Sequence, residues 1–178
     1  HILGTTFEVD WQASDNFLVG MNAEYLEAET DSEINFSTLY IPDGAQLPAA
    51  PEWSGAAWAT YSFPVAAANA TGYVRLQWSY SGSRLNSIED VPQNEFEPNP
   101  QFDLAAYDIG DLSIGLEGDD WEAILFVNNI TDERAEYSQD NQGGWTQTRL
   151  DEGREHVQGI YTNRPREYGI RIIKRWGD

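Results

Sequence analysis

Hydrophobic and polar residues alternate along this chain in seven segments of about ten residues. In 5–13, Phe7, Val9 and Trp11 oppose Thr6, Glu8, Asp10 and Gln12. In 17–27, Phe17, Val19, Met21, Ala23 and Tyr25 oppose Gly20, Asn22 and Glu24. The segment 53–63 is rich in Ala and aromatics, and alternation alone leaves its facing open. In 73–82, Val74, Leu76, Trp78 and Tyr80 stand against Arg75, Gln77 and Ser79. In 107–117, Leu112, Ile114 and Leu116 stand against Asp111, Ser113, Gly115 and Glu117, and in 121–129, Trp121, Ala123, Leu125 and Val127 against Glu122, Ile124, Phe126 and Asn128. The last segment, 168–176, sets Tyr168, Ile170, Ile172 and Trp176, with Lys174, against Gly169, Arg171, Ile173 and Arg175. A period of two places successive side chains on opposite faces of a strand, so the pattern predicts an all-β chain whose strands have one apolar and one wet face.

The connections alternate in length. Residues 14–16, 64–71 and 118–120 are short and made of turn-forming or small residues, whereas 28–52, 83–106 and 130–167 are long. An antiparallel up-and-down sheet would then carry every short turn at one end and every long loop at the other. Transmembrane β-barrels have this asymmetry, with short periplasmic turns and longer external loops. Trp11, Tyr25, Trp78, Tyr80, Trp121 and Trp176 gather near strand ends on the apolar side, where amphipathic rings favour a membrane–water boundary. The alternative that alternation leaves open is a secreted all-β binding or adhesion module, with the polar positions as the solvent face of a sandwich.

Composition narrows the choice. Hydrophobic residues make up 40% of 178, and no run approaches the ~20 apolar residues of a spanning helix. Cysteine is absent, which excludes a disulfide framework or a thiolate metal site. The net charge of −20 argues against a nucleic-acid surface. Acids crowd 24–52, a stretch without Lys or Arg, while Arg164, Arg166, Arg171, Lys174 and Arg175 cluster at the end. With neither an initiator Met nor a leader segment, the chain reads as part of something longer.

The run Trp121-Glu122-Ala123-Ile124-Leu125-Phe126-Val127-Asn128-Asn129-Ile130-Thr131-Asp132, followed after a long loop by Arg164-Pro165-Arg166-Glu167-Tyr168-Gly169 and a strand closing on Trp176, resembles the C-terminal end of TonB-dependent outer-membrane receptors. In that family a turn of the Asn129–Asp132 kind ends the penultimate strand, and a Pro-Arg step leads into the last one. Pro51-Glu52-Trp53 and 107–112 fit the same order. The resemblance implies a transmembrane barrel of about twenty-two strands, of which residues 1–178 would form about seven, with no plug domain in this chain. It implies an uptake receptor for a siderophore, metal complex or other scarce nutrient, integral to the bacterial outer membrane, with the long loops extracellular and the C-terminus periplasmic. The partners implied are the remainder of the barrel and its plug, TonB acting through that plug, and outer-membrane lipid. Gly177 and Asp178 depart from the family pattern, which usually ends on the aromatic residue.

Candidate chemistry is sparse. No catalytic constellation is evident, so no enzyme activity and no cofactor are expected. His1 and His156 lie far apart, and 79–87 lacks a nucleophile elbow. Glu133, Glu136 and Asp140, or Asp151, Glu152 and Glu155, are acids without an EF-hand spacing and read as solvated loop positions. Ligand contacts are expected from Trp145, Arg149, Arg154, His156 and Tyr161 in the third long loop, Arg84 in the second and Tyr40 in the first, residue types that stack on and hydrogen-bond a solute.

Overall fold

In the computed structural model, residues 1–36, 39–86, 103–140 and 159–176 are described. Thirteen strands run through them: β1 (Ile2–Ser14), β2 (Phe17–Ala28), β3 (Ile34–Phe36), β4 (Leu39–Ile41), β5 (Trp53–Val65), β6 (Ala70–Ser81), β7 (Arg84–Leu85), β8 (Asp103–Leu104), β9 (Tyr107–Glu117), β10 (Trp121–Asn128), β11 (Glu136–Asp140), β12 (Gly159–Thr162) and β13 (Glu167–Lys174). Seven form one sheet in the order β1-β2-β5-β6-β9-β10-β13, each antiparallel to its neighbours. The other six pair as hairpins β3-β4, β7-β8 and β11-β12, one within each long connection. Among the described residues no helix is long and apolar enough to cross a membrane.

These seven strands are the seven alternating segments, with ends set by pairing rather than pattern. β1 begins at Ile2 because the ladder with β2 continues to Ile2 opposite Ala28. β6 begins at Ala70, opposite Val65, so the second short connection shrinks to a single 3₁₀ turn at Ala66–Ala68, closed by Asn69 in the left-handed region at φ 46°. Pro64 is tolerated inside β5 because its side of the strand faces β2 beyond the end of that partner: Ser62 N–H already donates to Asn16 of the turn. β13 ends at Lys174 opposite Trp121, and Trp176 lies past the ladder, 86% exposed.

Register separates the two faces across the whole sheet. Trp11, Val19, Ala59, Leu76, Leu112, Val127 and Tyr168 are successive cross-strand partners, an apolar row through all seven strands. The row starts next to the long-loop end of β13 and finishes near the short-turn end of β1, the oblique stagger that tilted barrel strands require. This row resolves the facing of β5. Ala57, Ala59 and Tyr61 join the apolar side, and Trp58, opposite Gly20 and Gln77, is directed to the polar side. There the Trp58 ring covers Gly20, as Tyr73 covers Gly115 and Phe126 covers Gly169; a Cβ at residue 169 would sit 2.8 Å from the Phe126 ring.

Aromatic rings bracket the apolar face at both ends. Tyr25 and Trp53 meet at 5.0 Å near the long loops. Phe17, Tyr61 and Phe63 meet at 6.5 and 6.1 Å near the short turns. Along β2 the eight steps from Phe17 to Tyr25 span about 27 Å at ~3.4 Å each, which in a strand tilted by ~40° crosses most of the ~25 Å apolar band of outer-membrane barrels. The wall has little core of its own. Phe7, Trp11, Leu125, Ile170 and Ile172 are more than half exposed, and β1 and β13 each have a single sheet neighbour.

Candidate functional site

The densest polar construction lies where the third long connection leaves and rejoins the sheet. Asn129, only 4% exposed, sits just past β10 in the left-handed region at φ 54°, a conformation Asn tolerates better than most residues because its short side chain bonds locally. Its backbone N–H donates to Asp111 Oδ1 at 2.8 Å. Its Nδ2 donates to the carbonyls of Glu133 and Arg164 at 3.0 and 3.1 Å, and its Oδ1 accepts from the Glu133 N–H at 2.9 Å. Asp132, also left-handed at φ 57°, accepts the Arg166 N–H at 2.9 Å. Asn163 completes the clasp, donating to Glu133 O at 3.0 Å and accepting from Ala135 N at 3.1 Å.

The residues of the two motifs, far apart in sequence, thus bind each other directly. Asn129 holds Arg164, Asp132 holds Arg166, and Gly169 leaves room for the Phe126 ring. Arg164 also pairs with Glu167 at 3.7 Å, and Pro165 is exposed. Asp111 and Asn163 belong to the same clasp, but their spacing from Asn129 gives no sequence signal.

A second polar knot ties the second and third long connections together. Arg84 is 8% exposed and lies over the Tyr107 ring at 5.4 Å. Its Nη2 donates to the carbonyls of Glu136 and Tyr137 at 3.0 and 3.2 Å, while Nη1 is buried without a hydrogen-bond partner. Tyr137 packs on Tyr107 at 5.6 Å. Burial raises its hydroxyl above the ordinary value of 10.0, with Tyr107 adding to the shift and Arg84 opposing it. Tyr161 is 58% exposed on β12, in the hairpin that Arg84 grips, and Tyr40 is 47% exposed on β4 of the first connection. The three of the seven expected ligand contacts that are described, Arg84, Tyr161 and Tyr40, are therefore spread over three hairpins. Trp145, Arg149, Arg154 and His156 lie outside the described residues, as do Asp151, Glu152 and Glu155.

The polar face of the wall carries a depression of about 490 Å³ bordered by Arg75, Gln77, Asp111, Glu122, Asn128 and Arg171. Tyr73 donates to Glu122 at 2.9 Å, and Arg175 approaches the same carboxylate at 3.6 Å. Arg75 donates to Thr60 and Arg171 lies over the Phe126 ring at 5.9 Å, and the lining is mainly polar, which suits a hydrated wall. Among the described residues, the group whose donor atoms converge as a metal site needs is neither acidic set named from sequence but His1 with Glu27 and Glu29.

No family model matches the chain, and no curated protein sequence matches it. Solved structures do. The siderophore receptor PiuA from Acinetobacter baumannii matches over 97% of this chain with a TM-score of 0.65 and 14% identity. The ferric yersiniabactin uptake receptor FyuA from Yersinia pestis matches over 98% with a TM-score of 0.69 and 15% identity. The chain spans 21% and 23% of the lengths of those two proteins. Its fold is that of part of the barrels of these outer-membrane receptors: an all-β, antiparallel, up-and-down segment, as the alternation and the paired motifs predict.

Proposed function

We propose that this chain is the C-terminal part of the barrel of an outer-membrane, TonB-dependent uptake receptor for a siderophore, metal complex or other scarce nutrient. It supplies wall and external loops. The rest of the barrel pairs with the open edges of β1 and β13, and a plug outside this chain couples the barrel to TonB. The long connections face the exterior and the short turns the periplasm. The observation that carries this reading is the combination of an apolar row across all seven strands with loop lengths that separate completely between the two ends. Unpaired backbone groups in hydrocarbon cost several kcal/mol each, so both edges need partner strands there.

Ligand contact on this reading falls to Tyr40, Arg84 and Tyr161 together with Trp145, Arg149, Arg154 and His156. Arg84 then acts chiefly by holding the second and third loops in register. This chain contains no cysteine, so single cysteines placed in it test the orientation once any elsewhere in the full-length protein are replaced. In cells expressing the full-length protein, a membrane-impermeant maleimide should label Asp43→Cys and not Asp119→Cys. The reverse pattern, or recovery of the protein in the soluble fraction, contradicts the reading. Uptake is tested by growth on a ferric siderophore as sole iron source, which should require both this protein and TonB.

A further inference from the structure

The sheet register assembles a donor set at the long-loop end of the apolar face that the receptor reading does not use. His1 stands directly across from Glu29: the Glu29 N–H donates to His1 O at 3.0 Å and His1 N donates to Glu29 O at 2.5 Å. This pair continues the β1-β2 ladder one step beyond Ile2 and Ala28, so the ladder fixes its position. Glu27 lies near the end of β2, and Glu29 and Asp31 follow it at alternate positions past the strand, with the imidazole reaching both Glu27 and Asp31. His1 Nδ1 lies 3.0 Å from Asp31 Oδ1, and Nε2 lies 3.7 Å from Glu27 Oε1. One nitrogen of His1 and one oxygen each of Glu27 and Glu29 all fall within 4.8 Å of one another.

The geometry points to a divalent transition-metal site of the Zn²⁺ class, with His1 Nε2, Glu27 and Glu29 as ligands. Asp31 is the positioning residue: accepting the Nδ1–H fixes the tautomer that presents the Nε2 lone pair, the carboxylate–histidine–metal arrangement. Imidazole nitrogen with carboxylate oxygens is a donor set zinc accepts, leaving one position for water. A hard cation such as Ca²⁺ takes oxygen ligands and has no use for the imidazole. Bonds of about 2.0–2.2 Å bring tetrahedral ligands closer together than these donors now stand, a closure that rotation of two half-exposed carboxylate side chains supplies. The supporting backbone is already ordered. Thr30 Oγ1 donates to Pro42 O at 2.7 Å and accepts the Ala45 N–H at 3.0 Å, and Leu47 N–H reaches Ala28 O at 2.8 Å, stapling the first long connection against the strand that carries the acids. Charge favours occupancy too, since the ion pairs of Glu27 and Asp31 among the described residues are both with His1.

The test is equilibrium dialysis of the full-length, detergent-solubilised protein against Zn²⁺, with Co²⁺ as a spectroscopic substitute. One saturable equivalent is expected, with Co²⁺ showing ligand-field bands of a low-coordinate nitrogen–oxygen site. His1→Ala and Glu27→Gln should each abolish that equivalent, Asp31→Asn should weaken it about tenfold, and Asp15→Asn at the opposite end should leave it unchanged. Excess Ca²⁺ should not displace the Zn²⁺. Unchanged binding in both His1→Ala and Glu27→Gln, displacement by Ca²⁺, or no saturable binding by the native protein would overturn the site. Retained heat-modifiable migration of each variant shows that the barrel itself has formed. Uptake assays take no part in this test, so it stands or falls apart from the transport reading.

Discussion

The two faces of the seven-stranded sheet are built from the same strands by opposite rules. On the apolar face, the row from Trp11 to Tyr168 contains no charge, and Trp11, Leu76 and Tyr168 in it are exposed while none of its members is buried. On the polar face, Arg75, Gln77, Asp111, Glu122 and Arg171 border a depression, where Glu122 accepts from Tyr73 and pairs with Arg175 and Asp111 accepts the Asn129 N–H. A soluble sandwich would bury its apolar face against a second large sheet, whereas the other sheets among the described residues are three two-stranded hairpins in the long connections. The contrast fits the proposed wall, with hydrocarbon against one face and water against the other, and it teaches that strand pairing rather than a core holds the sheet together.

The comparison breaks most visibly through charge. Leu76→Arg on the apolar row should destabilise the barrel by about 2–4 kcal/mol in lipid, whereas Gln77→Arg on the adjacent polar position should cost well under about 1 kcal/mol. Denaturant unfolding of the full-length protein in vesicles measures both. Next comes the clasp. Asn129→Ala removes the side-chain bonds to Glu133 and Arg164 at a buried turn, and at ~1–3 kcal/mol for each buried polar group left unpaired it should cost about 2–3 kcal/mol and make the third loop more susceptible to protease. A smaller effect is expected from Gly169→Val, which must push the Phe126 ring aside at about 1–3 kcal/mol, read by the same unfolding assay. Smallest of all, Lys174→Ala removes an exposed pair with Asp120 at the short-turn end and should change stability by less than about 1 kcal/mol.

What could be read from sequence was whatever a period of two encodes. Facing in 17–27, 73–82 and 168–174 follows from alternation alone, and the register agrees with it, placing Val19, Leu76 and Tyr168 in the apolar row while Trp176 falls past the ladder. Residues 53–63 escaped because small Ala residues occupy both sides of β5, and only the pairing of Ala59 with Val19 and Leu76 shows that Trp58 is turned to the polar face. Strand ends escaped for a related reason: Ile2, Leu3 and Gly4 carry no alternation, and their place in β1 comes from partners supplied by β2. The two motifs of the clasp were legible through resemblance, whereas Asp111 and Asn163 were not, since long-range register alone delivers them to Asn129 and Glu133. The cluster at His1 was invisible for the same reason. Acids at 27, 29 and 31 look like ordinary charge until β1 lays an imidazole among them.

The most direct test of the central claim is site-directed spin labelling of the full-length protein reconstituted in lipid vesicles, with single labels at residues 74, 75, 76, 77, 112 and 127. Labels at 74, 76, 112 and 127 should be relaxed by dissolved oxygen and shielded from a water-soluble nickel chelate, and labels at 75 and 77 should show the opposite preference. Equal access of the chelate to both series, with no alternation along β6, would contradict a wall that meets hydrocarbon on one face and water on the other.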